Sequence, residues 1–357
     1  MEIIYGICSW GLGHATRSLP VLRKLVSEQQ QVTVISNGRA LELLQKELGD
    51  SVQYEDVPDY PMLLSENTRQ FMAKSMLYWP VFIKRIEDGL RSLGEILSTK
   101  DYDLIVSDGR YDMYSKKIPS FFISHQMRIM NPLRIRMFEN AMEWFNLFFF
   151  KRFRGVIIPD YRTDDLSGDL SHNLKRIDED KLHYVGALSD FTKKNLKKDI
   201  DFFLSLSGPE PQRSMLQERL LGQLHELQGT IIVTLGKTEK PFEVTKKKNI
   251  TTYSFLPKEK REELLNRAKL VISRSGYSTI LDLAVIGTKA LMIPTPGQIE
   301  QEYLARYHTK KGTFYTVHQQ HVDLHNDIVH AQKTTGITRQ CSVQKTVDHI
   351  LDIIMST

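Results

Sequence analysis

Short apolar runs alternate along this chain with stretches whose apolar residues recur every three or four positions. In the first half, Glu2–Cys8, Gln31–Ser36, Asp103–Ser107 and Ser120–Ser124 read as strands, each short and rich in β-branched or aromatic residues. Ser18–Gln29 and Arg39–Leu48 carry helical spacing between them. The second half repeats the logic. Its strands are Asp201–Leu206, Thr230–Leu235, Ile250–Phe255, Leu270–Ser273 and Ala290–Ile293, and its helices are Gln212–Leu227, Lys258–Arg267 and Ser278–Ile286. Such alternation builds βαβ units around a parallel sheet covered on both faces. The expectation is therefore an α/β chain of two Rossmann-like doubly wound domains, residues 1–187 and 188–357, with their strand ends facing a shared cleft. The last helical run, Val343–Met355, is expected to fold back onto the first domain.

Composition supports this division without sharpening it. At 357 residues the chain is long for one domain, and 41% hydrophobic with 25% charged residues excludes disordered and fibrous classes. A net charge of +5 is too small to argue nucleic-acid binding, but it suits an anionic small molecule or an acidic membrane surface. Cys8 and Cys341 are the only cysteines, so neither a disulfide framework nor zinc-ligand spacing exists. A reducing, cytoplasmic setting is the default expectation. The start of the chain lacks a signal-peptide pattern, and no run of 18 uncharged apolar residues is present to span a bilayer.

Four strand-to-helix loops carry candidate chemistry. Gly11-Leu12-Gly13-His14-Ala15-Thr16-Arg17 follows the first strand; its glycines let the backbone approach a ligand, and His14 is a candidate general base. A dinucleotide fingerprint would need a third glycine where Thr16 stands, and an acid where the second strand ends in Ser36-Asn37-Gly38-Arg39. Arg39 keeps an NADP-linked enzyme as a minor alternative. Ser207-Gly208-Pro209 forms the second loop, an anion cradle or a plain turn with good helix-start chemistry. Third comes Ser273-Arg274-Ser275-Gly276-Tyr277-Ser278-Thr279, which aims helix N-terminal N–H groups at an anion. Asp282 lies about one and a half turns further on, where it could accept ribose hydroxyls; a capped helix with one exposed acid would look the same. The fourth, Pro294-Thr295-Pro296-Gly297-Gln298, leads into Glu300 and Gln301, polar enough to meet sugar hydroxyls or merely to satisfy a helix start.

In this order the loops resemble those of GT-B glycosyltransferases, and in particular the MurG-like, glycosyltransferase family 28-like group. That group includes the lipid-intermediate N-acetylglucosaminyltransferases of cell-wall synthesis. The resemblance covers both halves and is strongest over residues 273–305. It implies a nucleotide diphosphate sugar, with uridine as base, bound by the second domain, and an acceptor bound by the first. Ser207 and Gly208 would match the first phosphate-side loop, and Ser275, Gly276 and Thr279 the second. Phe255 and Leu256 would line the base pocket, Asp282 would hold the ribose, and Glu300 and Gln301 would contact the sugar. On the acceptor side stand Gly11, Gly13, His125 and Gln126, with His14 catalytic.

The implied reaction is inverting transfer to an acceptor hydroxyl, without cofactor or metal. Asp101-Tyr102-Asp103 spells a metal-type pattern, but its place before a strand favours solvated charge. A UDP-N-acetylglucosamine 2-epimerase-like enzyme and a non-catalytic nucleotide-sugar binder share the same architecture. Two aromatic and basic stretches, residues 76–85 and Met127–Gly155, read either as core helices with basic flanks or as a face lying on an anionic membrane. In the second stretch, Arg128, Arg134, Arg136, Lys151, Arg152 and Arg154 surround Trp144, Phe145 and Phe148–Phe150. The membrane alternative implies a lipid-linked or lipid acceptor and a peripheral location on the inner membrane face.

Overall fold

The computed structural model describes all residues except 61–67, 132–134, 178, 239–240 and 357, and the side chains of residues 68–77 and 136 are likewise left out. The chain divides into two compact units, Met1–Asp190 with Ser342–Thr357, and Phe191–Cys341. Within the first unit the elements run β1 (Glu2–Ile7), α1 (Gly13–Ser27), β2 (Gln31–Ser36), α2 (Gly38–Leu48), β3 (Gln53–Asp56), α3 (Thr68–Leu97) and β4 (Leu104–Asp108). They continue with β5 (Ser120–Ile123), α4 (Arg136–Phe150), β6 (Gly155–Ile158) and β7 (Leu182–Tyr184). In the second unit follow β8 (Ile200–Ser205), α5 (Gln212–Gln223), β9 (Ile231–Thr234), β10 (Val244–Lys247), β11 (Ile250–Tyr253) and α6 (Lys258–Arg267). The series ends with β12 (Ala268–Ser273), α7 (Tyr277–Ile286), β13 (Lys289–Met292), α8 (Ile299–Lys310), β14 (Tyr315–Thr316), α9 (Leu324–Lys333) and α10 (Val343–Met355).

Each unit is built on a seven-stranded sheet among the described residues. The first has the order β3-β2-β1-β4-β5-β6-β7 and is parallel throughout. The second has the order β10-β11-β9-β8-β12-β13-β14, with only the β10–β11 edge pair antiparallel. Strand order reverses between β1 and β4 in one sheet and between β8 and β12 in the other. Loops leaving the carboxyl ends of those pairs diverge, and the gap between them is where ligands of open α/β sheets bind.

Central strands are buried on both faces, which is why they read as nearly continuous apolar runs rather than alternating ones. Ile3, Tyr5 and Ile7 of β1 share a core with Leu19, Leu22 and Leu25 of α1. That core also takes Val347, Ile350, Leu351 and Ile354, spaced as one helical face, so α10 packs on α1 within the first unit. The second core joins Leu204, Val233, Ile272 and Leu291 of the sheet to Leu216 and Leu220 of α5 and Ile328 of α9.

Candidate active site

The first unit assembles its polar groups at the β1/β4 reversal. His14 sits on the first turn of α1, directly after the Gly11 turn, where φ is +73°. Its Nδ1 lies 2.7 Å from Oδ1 of Asp108, the last residue of β4. Asp108 is fully buried; it also accepts from Arg17 Nε at 2.9 Å, from Arg17 Nη2, and from Ser18 Oγ at 2.8 Å. Burial opposes the carboxylate charge. The Arg17 guanidinium and His14 outweigh it and hold Asp108 well below the usual carboxylate range. With an ionised carboxylate against it, Nδ1 carries the proton, and the Arg17 Nη2 group 3.0 Å away bonds Asp108 rather than the ring. Nε2 is left as the basic atom, without a partner among the described residues, on a side chain 22% exposed.

Backbone geometry seats this ring. Gly109 has φ +76°, and a Cβ there would stand 2.8 Å from His14 Cε1 and 3.1 Å from Nδ1. Only glycine lets the chain leave β4 under the imidazole. His125, after β5, is buried, and its Nδ1 accepts from Arg17 Nη1 at 3.2 Å, so Arg17 links His125 to the Asp108 carboxylate that holds His14. Gln126 is held by its backbone: its N–H donates to Ser124 Oγ at 3.0 Å and its carbonyl accepts from Asn146 at 3.3 Å. Sequence reasoning missed Asp108, whose signal was its place at the end of the strand beside β1. Arg17 stood in the quoted motif but had no role assigned.

In the second unit the Ser207-Gly208 loop leaves β8, and Ser275-Gly276 leaves the neighbouring β12. Ser207 and Gly208 are exposed, with φ +112° at Gly208, and Gly276 caps α7 in extended conformation. Behind both loops lies Arg274, 1% exposed, a residue quoted in the motif but not credited there. It donates to the carbonyls of Ser207 at 3.4 Å, Gln212 at 2.9 Å, Ile293 at 3.3 Å and Pro294 at 3.1 Å. No carboxylate pairs with it among the described residues, and burial pulls its pKa down to about 10. The hydroxyl of Thr295, also 1% exposed, lacks a partner among the described residues. A Cβ on Gly208 would stand 3.6 Å from that hydroxyl and 3.7 Å from Arg274 Nε. The loop, the guanidinium and the hydroxyl thus bound one small polar space suited to an anion.

Gln301 is more occupied than its expected sugar contact implies. Its Oε1 accepts from Thr295 N at 2.9 Å, its Nε2 donates to Gln298, and its carbonyl accepts from Ser275 Oγ at 2.8 Å. Glu302 likewise accepts from Gly297 N at 3.0 Å. Both hold the loop after β13 in shape, while Glu300 and Thr279 are half-buried at their helix starts. Asp282 lies 3.9 Å from Arg261 Nη2 on α6. Phe255 and Leu256 are half-buried after β11, with the Phe255 ring edge-on to Phe242 at 5.5 Å.

The aromatic and basic stretches divide on inspection. Arg134 and the side chains of Met76, Leu77 and Arg136 lie outside the described residues. Arg128 is not a surface cation: it is 6% exposed, pairs with Glu143 at 3.2 Å and donates to the carbonyls of Asp169 and Asn173. Phe149 and Phe150 are buried, whereas Trp144 is 65% and Phe148 52% exposed. Asp103 of the Asp-Tyr-Asp pattern accepts from Glu2 N at 2.8 Å, tying the β4 approach to β1. Among the described residues the one cluster with metal-ligand spacing is Asp160, Asp165 and His172. There Asp160 already accepts from the N–H groups of Tyr161, Leu166 and Ser167, which makes it the anchor of a turn.

Comparison with known proteins agrees with this layout. Residues 213–344 match the glycosyltransferase family 28 C-terminal domain, and residues 1–108 match glycosyl transferase family 1. An uncharacterized glycosyltransferase of Methanosarcina acetivorans is 23% identical over 319 residues, covering 85% of this chain and 80% of its own. A UDP-N-acetylglucosamine–N-acetylmuramyl-(pentapeptide) pyrophosphoryl-undecaprenol N-acetylglucosamine transferase of Trichormus variabilis is 51% identical over 51 residues, 14% of each chain. Among solved structures, MurG of Acinetobacter baumannii superposes with a TM-score of 0.58 at 15% identity, covering 100% of both chains. The glycotransferase of kitacinnamycin gives 0.65 at 15% identity, covering 99% of this chain and 98% of its own.

Proposed function

We propose that this chain, a GT-B protein of the glycosyltransferase family 28-like group, transfers a sugar from a UDP-sugar to an acceptor hydroxyl with inversion at the anomeric carbon. The observation that carries the reaction type is the His14–Asp108 pair at the β1/β4 reversal. Asp108 fixes the tautomer and stabilises the imidazolium, while Nε2 takes the proton of the attacking hydroxyl, a role worth ~10²–10⁴-fold in rate. The acceptor oxygen bonds to the anomeric carbon as the bond to the diphosphate oxygen breaks, and the nucleotide diphosphate leaves with the electron pair. Its growing charge meets the N-terminus of α7, the Gly208 loop and the buried Arg274 cation. No metal is assigned a step. Asp282 is given the ribose hydroxyls, and Phe255 and Leu256 the base.

Exposed Trp144 and Phe148, next to exposed Lys151 and Arg154, favour work on the inner face of an anionic membrane. Among the described residues no helix is long and apolar enough to cross one. The test is thermal unfolding against UDP, GDP, dTDP and NADPH for the wild type and Asp282→Ala. A ligand at 100 times its Kd raises stability by ~2.7 kcal/mol. A UDP shift that weakens in Asp282→Ala supports the donor assignment; a shift with NADPH alone rejects it. Incubation with UDP-sugar alone then separates transfer from epimerisation, because an epimerase yields an isomeric nucleotide sugar without acceptor.

A further inference from the structure

One guanidinium stands between the two histidines of the first unit's site. Arg17 lies one turn after His14 on α1, so the two side chains share a helix face. From there it spans the carboxyl end of β4 to reach His125 in the loop after β5, the next strand of the sheet. Its Nε donates to Asp108 Oδ2 at 2.9 Å and its Nη2 to Asp108 Oδ1, a two-point fork on one carboxylate. Its Nη1 faces Nδ1 of His125 at 3.2 Å. Arg17, Asp108 and His125 are all buried, so these bonds are made away from bulk water.

An arginine side chain holds donors only and is not deprotonated in a protein. The nitrogen it faces on His125 must therefore accept. In a neutral imidazole one nitrogen carries the proton and the other accepts, which places the His125 proton on Nε2. A second proton, on Nδ1, would set two cations 3.2 Å apart with no hydrogen bond between them. His14 is fixed the other way. Its Nδ1 lies 2.7 Å from Asp108 Oδ1 and 3.0 Å from Arg17 Nη2, which is already bonded to that same oxygen. The carboxylate takes the Nδ1 proton, and Nε2 is left bare.

We propose that Arg17 is the positioning residue of the transfer site: it fixes the proton on both imidazoles, leaving His14 as the base and excluding His125. The inference rests on the transfer function proposed above and adds to it a reason why one histidine serves and the other does not. A plain counter-ion for the buried Asp108 would do less. Arg17→Lys keeps a charge at one point, whereas the fork holds two carboxylate oxygens while a third N–H reaches across β4. Ser18 Oγ, 2.8 Å from Asp108 Oδ2, supports the carboxylate but supplies no link to His125.

Two-bond ¹H–¹⁵N correlation NMR on the full chain, with ¹⁵N in the histidine rings, reads the tautomer of each ring directly. His14→Gln and His125→Gln identify the two signals by their loss from the set of 11 histidines. At about pH 8, above the ordinary histidine range, His14 should show a protonated Nδ1 and a bare Nε2, and His125 the reverse. Arg17→Met should shift both His125 nitrogens toward the average of the two tautomers. Arg17→Lys should melt closer to the wild type than Arg17→Met does, yet show the same averaged His125. His125 protonated on Nδ1, wild-type His14 protonated on Nε2, or a His125 pattern unmoved in Arg17→Lys would each overturn the proposal. Where a variant melts early, the wild-type pattern still decides. UDP binding is read by thermal shift in the same samples: the expected tautomers without a UDP shift reject the donor assignment alone, and a UDP shift with the opposite tautomers rejects the role of Arg17 alone.

Discussion

At the scale of single residues, the site depends on one buried charge being kept where water cannot reach it. Asp108 is fully buried and stays ionised because Arg17, His14 and Ser18 converge on it. His14→Ala should lower kcat by ~10²–10⁴-fold and leave the UDP-induced thermal shift unchanged, since His14 and the donor loops belong to different units. A UDP shift lost along with activity would argue that His14 holds structure instead. Asp108→Asn strands the Arg17 guanidinium without its carboxylate, a change that typically costs ~3–5 kcal/mol. The pH dependence has a definite sign. A carboxyl held below its unfolded value contributes stability that is present above that value, about 4, and is lost as pH falls toward the folded one. Urea unfolding should therefore give a constant gap between wild type and Asp108→Asn from about pH 5 to pH 7, narrowing below about pH 4. A gap that widens in acid would contradict the charge assignment.

At the scale of elements, the second site is three loops held by one side chain. Arg274 reaches the carbonyls after β8, at the start of α5 and after β13. Arg274→Lys keeps the charge but loses the fork, so the loops should loosen and the Kd for UDP rise ~10-fold or more; Arg274→Met should weaken it further. Calorimetric titration of UDP into both variants decides between the two contributions, because equal losses would mean that geometry alone matters.

This is also the scale at which the sequence was most and least legible. Gln31–Ser36, Lys258–Arg267 and Val343–Met355 were readable to the residue, because their apolar spacing matches one secondary-structure period and capping or turn residues bound them. The short strands β3, β6, β7, β10 and β14 went unread, since runs of two to four residues carry little periodicity. The helix start at Gly13 lies five residues before the reading at Ser18, because Gly11 and Gly13 look like loop until β1 places them. Glycine turns and His14 were visible as motifs. Asp108 was not, because it becomes chemical only when β4 pairs with β1 and brings Asp108 level with Ile7. Arg128 misled for a related reason: its partner Glu143 arrives from α4 through packing, which no local pattern encodes.

For the molecule as a whole, a net charge of +5 decides little, and where the cations stand decides more. Lys116, Lys117, Lys151, Arg152 and Arg154 line one groove of about 540 Å³ with no carboxylate among its lining residues. It opens beside Ser120 and Phe153, at the amino ends of β5 and β6, whereas His14 and Asp108 stand at the carboxyl ends of the same sheet. A bilayer met through this groove would lie a strand's length from the dyad, ~15 Å at ~3.3 Å per residue. A lipid hydroxyl at the bilayer surface could not bridge that distance, while a group carried outward on a lipid anchor could. Each cation near an anionic surface contributes ~1 kcal/mol, and the effect fades as the Debye length falls from ~10 Å at 0.1 M to ~3 Å at 1 M salt. The protein should therefore co-sediment with phosphatidylserine-containing vesicles at low salt, detach toward 1 M salt, and ignore pure phosphatidylcholine. Lys116→Glu with Lys117→Glu should abolish binding to the anionic vesicles without touching the UDP shift. Equal binding to neutral vesicles, or no effect of the double reversal, would remove the groove from membrane contact and leave the lipid anchor without support.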